Sequence, residues 1–100
     1  MLSFERVLEA FREHLTEDTG VEVVPTRHGY TYLTWDDRRE NWDTAEICLT
    51  PEALLDRLTG AVESYEQCRL LDETRDPTDA ERKAFAEAAE RYRKRCLERP

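Results

Sequence analysis

The sequence predicts an α+β fold with the order α-β-β-β-α-α, a three-stranded antiparallel meander and helices packed mainly on one face of the sheet. The first segment places apolar residues at the i, i+3, i+4, i+7 spacing of an amphipathic helix. The next segment alternates with period two and is rich in β-branched and aromatic residues. The last half returns to helical spacing in two runs. A chain of 100 residues forms one hydrophobic core, so we expect a single domain over 1–100.

The first helix is predicted over about 3–19. Ser3 is a suitable N-cap residue for it. His14 falls at the edge of the apolar face, where a packed structural histidine is more common than a ligand. The apolar face consists of Phe4, Val7, Leu8, Phe11 and Leu15.

The meander is predicted over about 21–49. Its first strand starts at Val21 and is broken by Pro25, which suits the edge of a sheet. Tyr30 to Trp35 forms the second strand, and Trp42 to Leu49 forms the third. The short connections between them favour antiparallel neighbours.

Two more helices are predicted over about 51–71 and about 78–97. Thr50 and Pro51 are typical of a helix start, and Thr78 with Glu81 matches a capping box. Gly60 lies inside the first of these helices, where it costs about 1 kcal/mol relative to alanine. A close backbone approach at Gly60 would explain the glycine.

The chain is acidic, with 23 Asp and Glu against 15 Lys and Arg and a formal net charge of −8. Phosphate backbones repel such a chain, so direct nucleic-acid binding is disfavoured. A partner protein with a basic surface is favoured instead. The one basic cluster, Arg91, Arg93, Lys94 and Arg95, also suits the negative end of a helix dipole.

The three cysteines, Cys48, Cys68 and Cys96, are odd in number and far apart. This pattern is typical of free thiols in a reducing compartment, so we expect a cytoplasmic protein. No pair of cysteines has metal-ligand spacing, and neither a metal nor a cofactor is expected. No long apolar run predicts a membrane span or a secretory signal.

Catalytic motifs are absent from the sequence: it contains no glycine-rich phosphate loop and no nucleophile motif. His28 and the acidic loop from Asp36 to Glu40 fall on successive turns of the meander, which lie at opposite ends of a sheet. An acid–base or metal site shared between them is therefore disfavoured. The sequence favours a protein that is not an enzyme.

Two patterns are candidate binding sites. The first is a row of glutamates on the first helix, spaced about 6 Å apart in rise, which could imitate a phosphate backbone or could be an ordinary solvated face. The second is an aromatic cluster on the meander. It lies on an uncovered sheet face if the helices cover Leu33 and Ile47; otherwise it is a ladder that only stabilises the sheet, or it lies on a face that the third helix covers. The glutamates are Glu5, Glu9, Glu13 and Glu17, and the cluster is Tyr30, Tyr32, Trp42 and Glu46.

Several segments resemble short acidic proteins of unassigned function carried on mobile elements of gut-dwelling bacteria. They are Phe4-x-x-Val7-Leu8-x-x-Phe11, Pro25-Thr26-x-x-Gly29-Tyr30, Trp35-Asp36 and Thr50-Pro51-Glu52-Ala53-Leu54. The resemblance spans about residues 1–70 and implies no activity and no catalytic residue. Its genetic setting implies a small inhibitor of host defence, such as an anti-CRISPR protein.

The function predicted from the sequence is an acidic protein-interaction module, in its specific form an inhibitor of a nucleic-acid-handling enzyme. One alternative is a nucleic-acid-binding accessory factor that uses the basic cluster at Arg91 to Arg95. A small enzyme or metal protein is a second alternative. A third is a self-associating structural protein that uses the aromatic face across a homodimer axis.

Overall fold

A computed structural model of the chain describes residues 2–18, 20–71 and 74–98. The predicted α+β class with a three-stranded antiparallel sheet is confirmed, and the sheet has the order β1-β2-β3. The predicted end of the first helix, residue 19, lies outside the described residues. The elements are α1 (Phe4–Ala10), α2 (Arg12–Glu17), β1 (Val21–Thr26), β2 (Gly29–Asp36), β3 (Asn41–Cys48), α3 (Pro51–Leu71) and α4 (Asp79–Leu97).

The predicted first helix is divided in two, so its prediction as one continuous helix was wrong. Ser3 caps α1 by accepting a hydrogen bond from the Arg6 N–H at 3.2 Å. Phe11 then leaves helical geometry, with φ −95° and ψ 10°. Its ring is fully buried and stacks on Tyr92, with the ring centroids 5.1 Å apart. Because Phe11 still points into the core, the apolar spacing of the sequence does not register the break.

The turn between β1 and β2 depends on a glycine. Gly29 has φ +121°, which side chains rarely permit. A Cβ added there would lie 2.8 Å from the Cys48 carbonyl oxygen of β3. The turn is closed by Thr26, whose hydroxyl donates a hydrogen bond to the Gly29 carbonyl at 2.7 Å.

A β-bulge interrupts the pairing of β2 with β3. Thr34 lies opposite Thr44, but Trp35 lies opposite Trp42, which leaves Asp43 as the extra residue of β3. The bulge shifts the alternation of side chains by one residue. Trp42 therefore shares a sheet face with Trp35, whereas strict alternation placed it on the opposite face.

The helices cover the sheet face that carries Tyr30 and Tyr32. Tyr32 is only 4% exposed and Cys48 is buried, both against the helical layer. Tyr30 of the same face packs on Phe4 of α1 with the ring centroids 4.7 Å apart. The helices do not cover Leu33 and Ile47, which was the condition for an exposed aromatic cluster. Apolar residues occupy both faces of the sheet. Alternation alone does not identify the covered face.

The core is shared by α1, Phe11, the covered side of the sheet, α3 and α4. The capping box at Thr78 and Glu81 is present at the start of α4. Cys48 and Cys96 are buried free thiols, and the Cys68 thiol is free and exposed. The buried residues of α3 and α4 in this core are Leu54, Leu55, Leu58, Ala61, Val62, Ala88, Ala89 and Cys96.

Gly60 of α3 is not at a close contact. Apart from the neighbouring backbone of α3 itself, a Cβ added there would meet no atom within 4 Å. A close backbone approach therefore does not explain Gly60, and nothing else in the structure explains this glycine.

Candidate functional site

The uncovered side of the sheet is an apolar surface, called here the open face. The strand register places these residues side by side: Glu22 pairs with Leu33 and Leu33 with Ala45, while Thr31 pairs with Ile47. Ile47 is 52% exposed. Single exposed apolar residues are ordinary, whereas a contiguous group of them typically marks an interaction surface. The open face consists of Glu22, Val24, Thr31, Leu33, Trp35, Trp42, Ala45 and Ile47.

Two tryptophans form the most prominent feature of the open face. The rings of Trp35 and Trp42 meet edge to face with their centroids 5.1 Å apart. They are 38% and 43% exposed, respectively. The Trp35 indole N–H donates a hydrogen bond to Asp37 Oδ1 at 2.8 Å, which orients the ring. Large, oriented aromatic side chains of this kind dominate the energetics of protein interfaces.

The surroundings of the open face are acidic. Over residues 21–48 the chain carries six carboxylates and three arginines, a difference of −3. Glu22 lies on the face itself, and Asp43 is exposed in the bulge next to Trp42. Asp37 and Glu40 share their exposed loop with Arg38 and Arg39. A surface with an apolar centre and acidic surroundings complements a partner with apolar and basic residues.

Three of the four predicted aromatic-site residues lie on the covered side of the sheet. Tyr32 is buried there, with the Arg57 guanidinium 4.7 Å from its ring centroid, and burial raises the pKa of its hydroxyl. Tyr30 is half-buried on Phe4, and Glu46 pairs with Arg57 at 2.6 Å. The prediction that Tyr30 and Tyr32 line an exposed face was wrong for this reason.

Trp42 alone of that set reaches the open face, and it does so through the bulge at Asp43. The structure adds Trp35 and Ile47 to the candidate site, both of which lie on the same sheet face as Leu33. The sequence shows that these two side chains are large and apolar, but it does not show that the sheet face on which they lie is uncovered.

The predicted acidic row is exposed but interleaved with arginines. Glu9 lies 3.5 Å from Arg12, and Glu13 lies 3.6 Å from Arg95. A groove of about 510 Å³ between the first two helices and α4 contains these groups together with Arg6. Glu5 and Glu17 are also exposed. The mixed charges reduce the negative potential of the row and weaken its likeness to a phosphate backbone.

The basic cluster of α4 is also interleaved with opposite charge. Arg93 lies 3.3 Å from Asp56, and Arg95 pairs with Glu13 while its guanidinium stacks 5.2 Å from the Tyr92 ring centroid. Paired arginines offer less charge to a nucleic-acid backbone. These ion pairs join α4 to α3 and α2, so they indicate that Arg93 and Arg95 help to pack α4 against its neighbours.

Among the described residues, His28 lies apart from the acidic loop with which it was weighed as an acid–base or metal site. The turn that holds His28 and the loop from Asp37 to Glu40 lie at opposite ends of the eight-residue strand β2. Within residues 2–18, 20–71 and 74–98, no group of three His, Cys, Asp or Glu side chains could hold a metal ion.

His14 is the buried titratable residue closest to such a role. It is 2% exposed, and its ring packs edge-on against Tyr65 at a centroid distance of 5.4 Å. Burial lowers its pKa, although Asp18, Glu17 and Glu66 act in the opposite direction. The imidazole packs edge-on against Tyr65 and Tyr92, and its Nε2 lies 3.5 Å from Asp18 Oδ2, which supports a packing role.

Comparison of the chain with known protein families, with curated proteins and with solved structures found no match. The resemblance to short acidic proteins of mobile elements stays a prediction. Among the described residues, no helix has the length and apolar character needed to cross a bilayer.

Proposed function

We propose that this chain is a non-enzymatic protein-interaction module whose open face binds a protein with a basic, partly apolar surface. The observation that carries the proposal is the exposed Trp35–Trp42 pair on the sheet face opposite the helices. Desolvating two indole rings and Ile47 would supply binding energy. The acidic surroundings would attract the partner and orient it.

The specific form of the proposal is a cytoplasmic inhibitor, encoded on a mobile element, of an enzyme that handles nucleic acids. Such enzymes carry basic surfaces that bind phosphate backbones, and an acidic module is attracted to them. The proposal rests on the open face because arginines interleave with the glutamates of the first two helices.

Site-specific photo-crosslinking tests the open face. A photoreactive phenylalanine analogue replaces Ile47 on the open face or, as a control, Glu87 on the exposed side of α4. In cells that carry the gene, we expect an adduct with a second protein from position 47 and none from position 87. Adducts only from position 87, or none from either, would contradict the proposal.

Binding of the purified partner then tests the chemistry. We expect Trp42→Ala to weaken binding by about 2 kcal/mol, as for an aromatic hot spot. Leu70→Ala is the matched control, because Leu70 is 60% exposed on α3 and away from the open face. Affinity should fall about tenfold or more between about 50 mM and about 500 mM salt, because the salt screens charge attraction. Unchanged affinity in salt would refute the basic partner.

A further inference from the structure

We infer that the outer edge of β3 binds an extended segment of the partner as a fourth, antiparallel strand, with apolar residues on the open face and basic residues on the helix side. This inference rests on the proposed function and describes how its partner is held. Addition of a strand to a sheet edge is a recurrent mode of peptide recognition, in which backbone hydrogen bonds supply much of the affinity.

The direction of the backbone groups follows from one hydrogen bond. The Trp35 N–H donates to the Gly20 carbonyl oxygen at 2.8 Å, so the backbone of Trp35 faces β1. In an antiparallel sheet these directions alternate along a strand. Leu33 and Thr31 therefore also face β1, whereas the backbone groups of Thr34, Tyr32 and Tyr30 face β3.

The strand register shows which backbone groups of β3 face β2 and which face away from it. Thr44, Glu46 and Cys48 lie opposite Thr34, Tyr32 and Tyr30, so their backbone groups pair with β2. The N–H and C=O groups of Ala45 and Ile47 consequently point away from the sheet. Both residues are exposed, which leaves these donors and acceptors accessible to another strand.

The opposite edge of the sheet is protected. By the same alternation, the backbone groups of Val21, Val23 and Pro25 in β1 point outward. Pro25 has no N–H to donate, and proline at an outward position is a common device against strand addition. Strand β3 contains no proline, so its edge is the more suitable one for pairing.

Space for the side chains of an added strand is present on both sides of β3. On the helix side, a groove of about 280 Å³ separates β3 from α3 and is lined by Glu46, Ile47, Cys48, Ala53, Asp56 and Arg57. On the other side, an apolar residue of the added strand would lie beside Ala45 or Ile47 and enlarge the open face. Residues that share a hydrogen-bonded pair also share a face, which assigns the apolar positions to the side of Ala45 and Ile47.

Charge favours a basic strand over a second copy of this chain. Strand β3 carries the carboxylates of Asp43 and Glu46 and no basic residue. Two copies of β3 paired across a two-fold axis at Glu46 would place the two Glu46 carboxylates opposite each other, and like charges on adjacent strands are destabilising. A lysine or arginine opposite Glu46 would instead share its carboxylate with Arg57, which lies 2.6 Å from it.

Three synthetic peptides test the inference against the intact protein. The first alternates lysine with valine over seven residues, the second alternates glutamate with valine, and the third is the lysine peptide with N-methylated valines. At saturation we expect the first peptide to slow amide hydrogen exchange at Ala45 and Ile47 about tenfold or more, because their N–H groups become hydrogen-bonded. The glutamate peptide and the N-methylated peptide should leave that exchange unchanged.

A pair of variants tests the same edge from the side of the protein. Ala45→Pro removes the outward N–H without breaking a bond to β2, and Ala45→Thr keeps that N–H. We expect Ala45→Pro to weaken binding of the lysine peptide about tenfold or more and Ala45→Thr to leave it nearly unchanged. The N-methylated peptide keeps the test decisive if Ala45→Pro does not fold, since it acts on unaltered protein.

Several results would overturn the inference. These are equal binding of the lysine and glutamate peptides, no binding of the lysine peptide, or protection confined to residues outside β3. Protection of Ala45 and Ile47 that rises with protein concentration alone would assign the edge to a second copy. If the partner cross-linked at position 47 binds Ala45→Pro as tightly as Ala45→Thr, the edge inference fails while the proposed function stands. Absence of any cross-link at position 47 instead contradicts the proposed function.

Discussion

The indole rings of Trp35 and Trp42 are neighbours because β3 has one extra residue, Asp43. Thr34 and Trp35 are consecutive on β2, whereas their partners on β3 are separated by Asp43. The bulge at Asp43 places Trp42 directly opposite Trp35, and the ring planes meet at 78°. Without the bulge, Trp42 would point toward the helices. One inserted residue therefore creates the aromatic pair on which the proposed interface depends.

The tryptophan pair should be energetically coupled. A double-mutant cycle with Trp35→Ala, Trp42→Ala and the double variant should give a coupling free energy of about 0.5–1.5 kcal/mol, the range for edge-to-face aromatic pairs. The measurement is urea unfolding of the four proteins. Additive losses would show that the two rings are adjacent without interacting. Two indole rings in contact are also expected to give an exciton signal in the circular dichroism spectrum. Deleting Asp43 should remove this signal, because Trp42 would then point toward the helices and away from Trp35.

Gly60→Ala should stabilise the protein. Gly60 lies inside α3 with open space around its Cα, and alanine in a helix interior is favoured by about 1 kcal/mol. The check is the urea midpoint of the variant at an unchanged m-value. Gly29→Ala is the contrasting control, because Gly29 has φ +121° and a Cβ there would lie 2.8 Å from a carbonyl oxygen. That variant should be destabilised, and a neutral result would contradict the turn geometry.

Thr34→Val should also stabilise the protein. The Thr34 hydroxyl is buried and has no hydrogen-bond partner among the described residues. An unsatisfied buried polar group costs about 1–3 kcal/mol, and valine keeps the shape of threonine without the hydroxyl. Thr31→Val, on the open face of the same strand, should change the free energy of unfolding by less than about 0.5 kcal/mol. Equal changes in the free energy of unfolding for the two substitutions would refute the idea that the Thr34 hydroxyl is buried without a partner.

His14 should make the protein less stable in mild acid. Burial lowers the pKa of His14, against the opposing effect of Asp18, Glu17 and Glu66, and its ring contacts Tyr65 of α3 and Tyr92 of α4. In the unfolded chain the imidazole titrates near its ordinary pKa of about 6.5. The unfolded chain therefore takes up the proton first, so stability present above that pKa is lost as the pH falls through the lower pKa of the folded state.

The measurement for His14 is the urea midpoint from about pH 7 to about pH 5. His14→Gln should flatten the pH dependence over this window, whatever its effect on stability at neutral pH. His28→Gln is the control, since His28 is exposed in the turn between β1 and β2, and this variant should keep the wild-type slope. Parallel slopes for wild type and His14→Gln would assign the acid sensitivity to other groups.

By itself, the sequence determined the α+β class with its three-stranded antiparallel sheet, and the starts of α3 and α4. Periodicity and capping residues are local, and Pro51 or Thr78 acts on the residues next to it. The break at Phe11 was not visible, because the ring reaches the core from either geometry. The open space around Gly60 was not visible in the sequence either, because it depends on residues distant in sequence.

Only the tertiary structure decided which sheet face is uncovered. Apolar residues lie on both faces of β2, so alternation separates Tyr32 from Leu33 without saying which of them the helices bury. The choice is made by packing across the sheet, where Tyr30 contacts Phe4 and Tyr32 contacts Arg57. The bulge that turns Trp42 outward is likewise a property of strand pairing, because it needs two strands to exist.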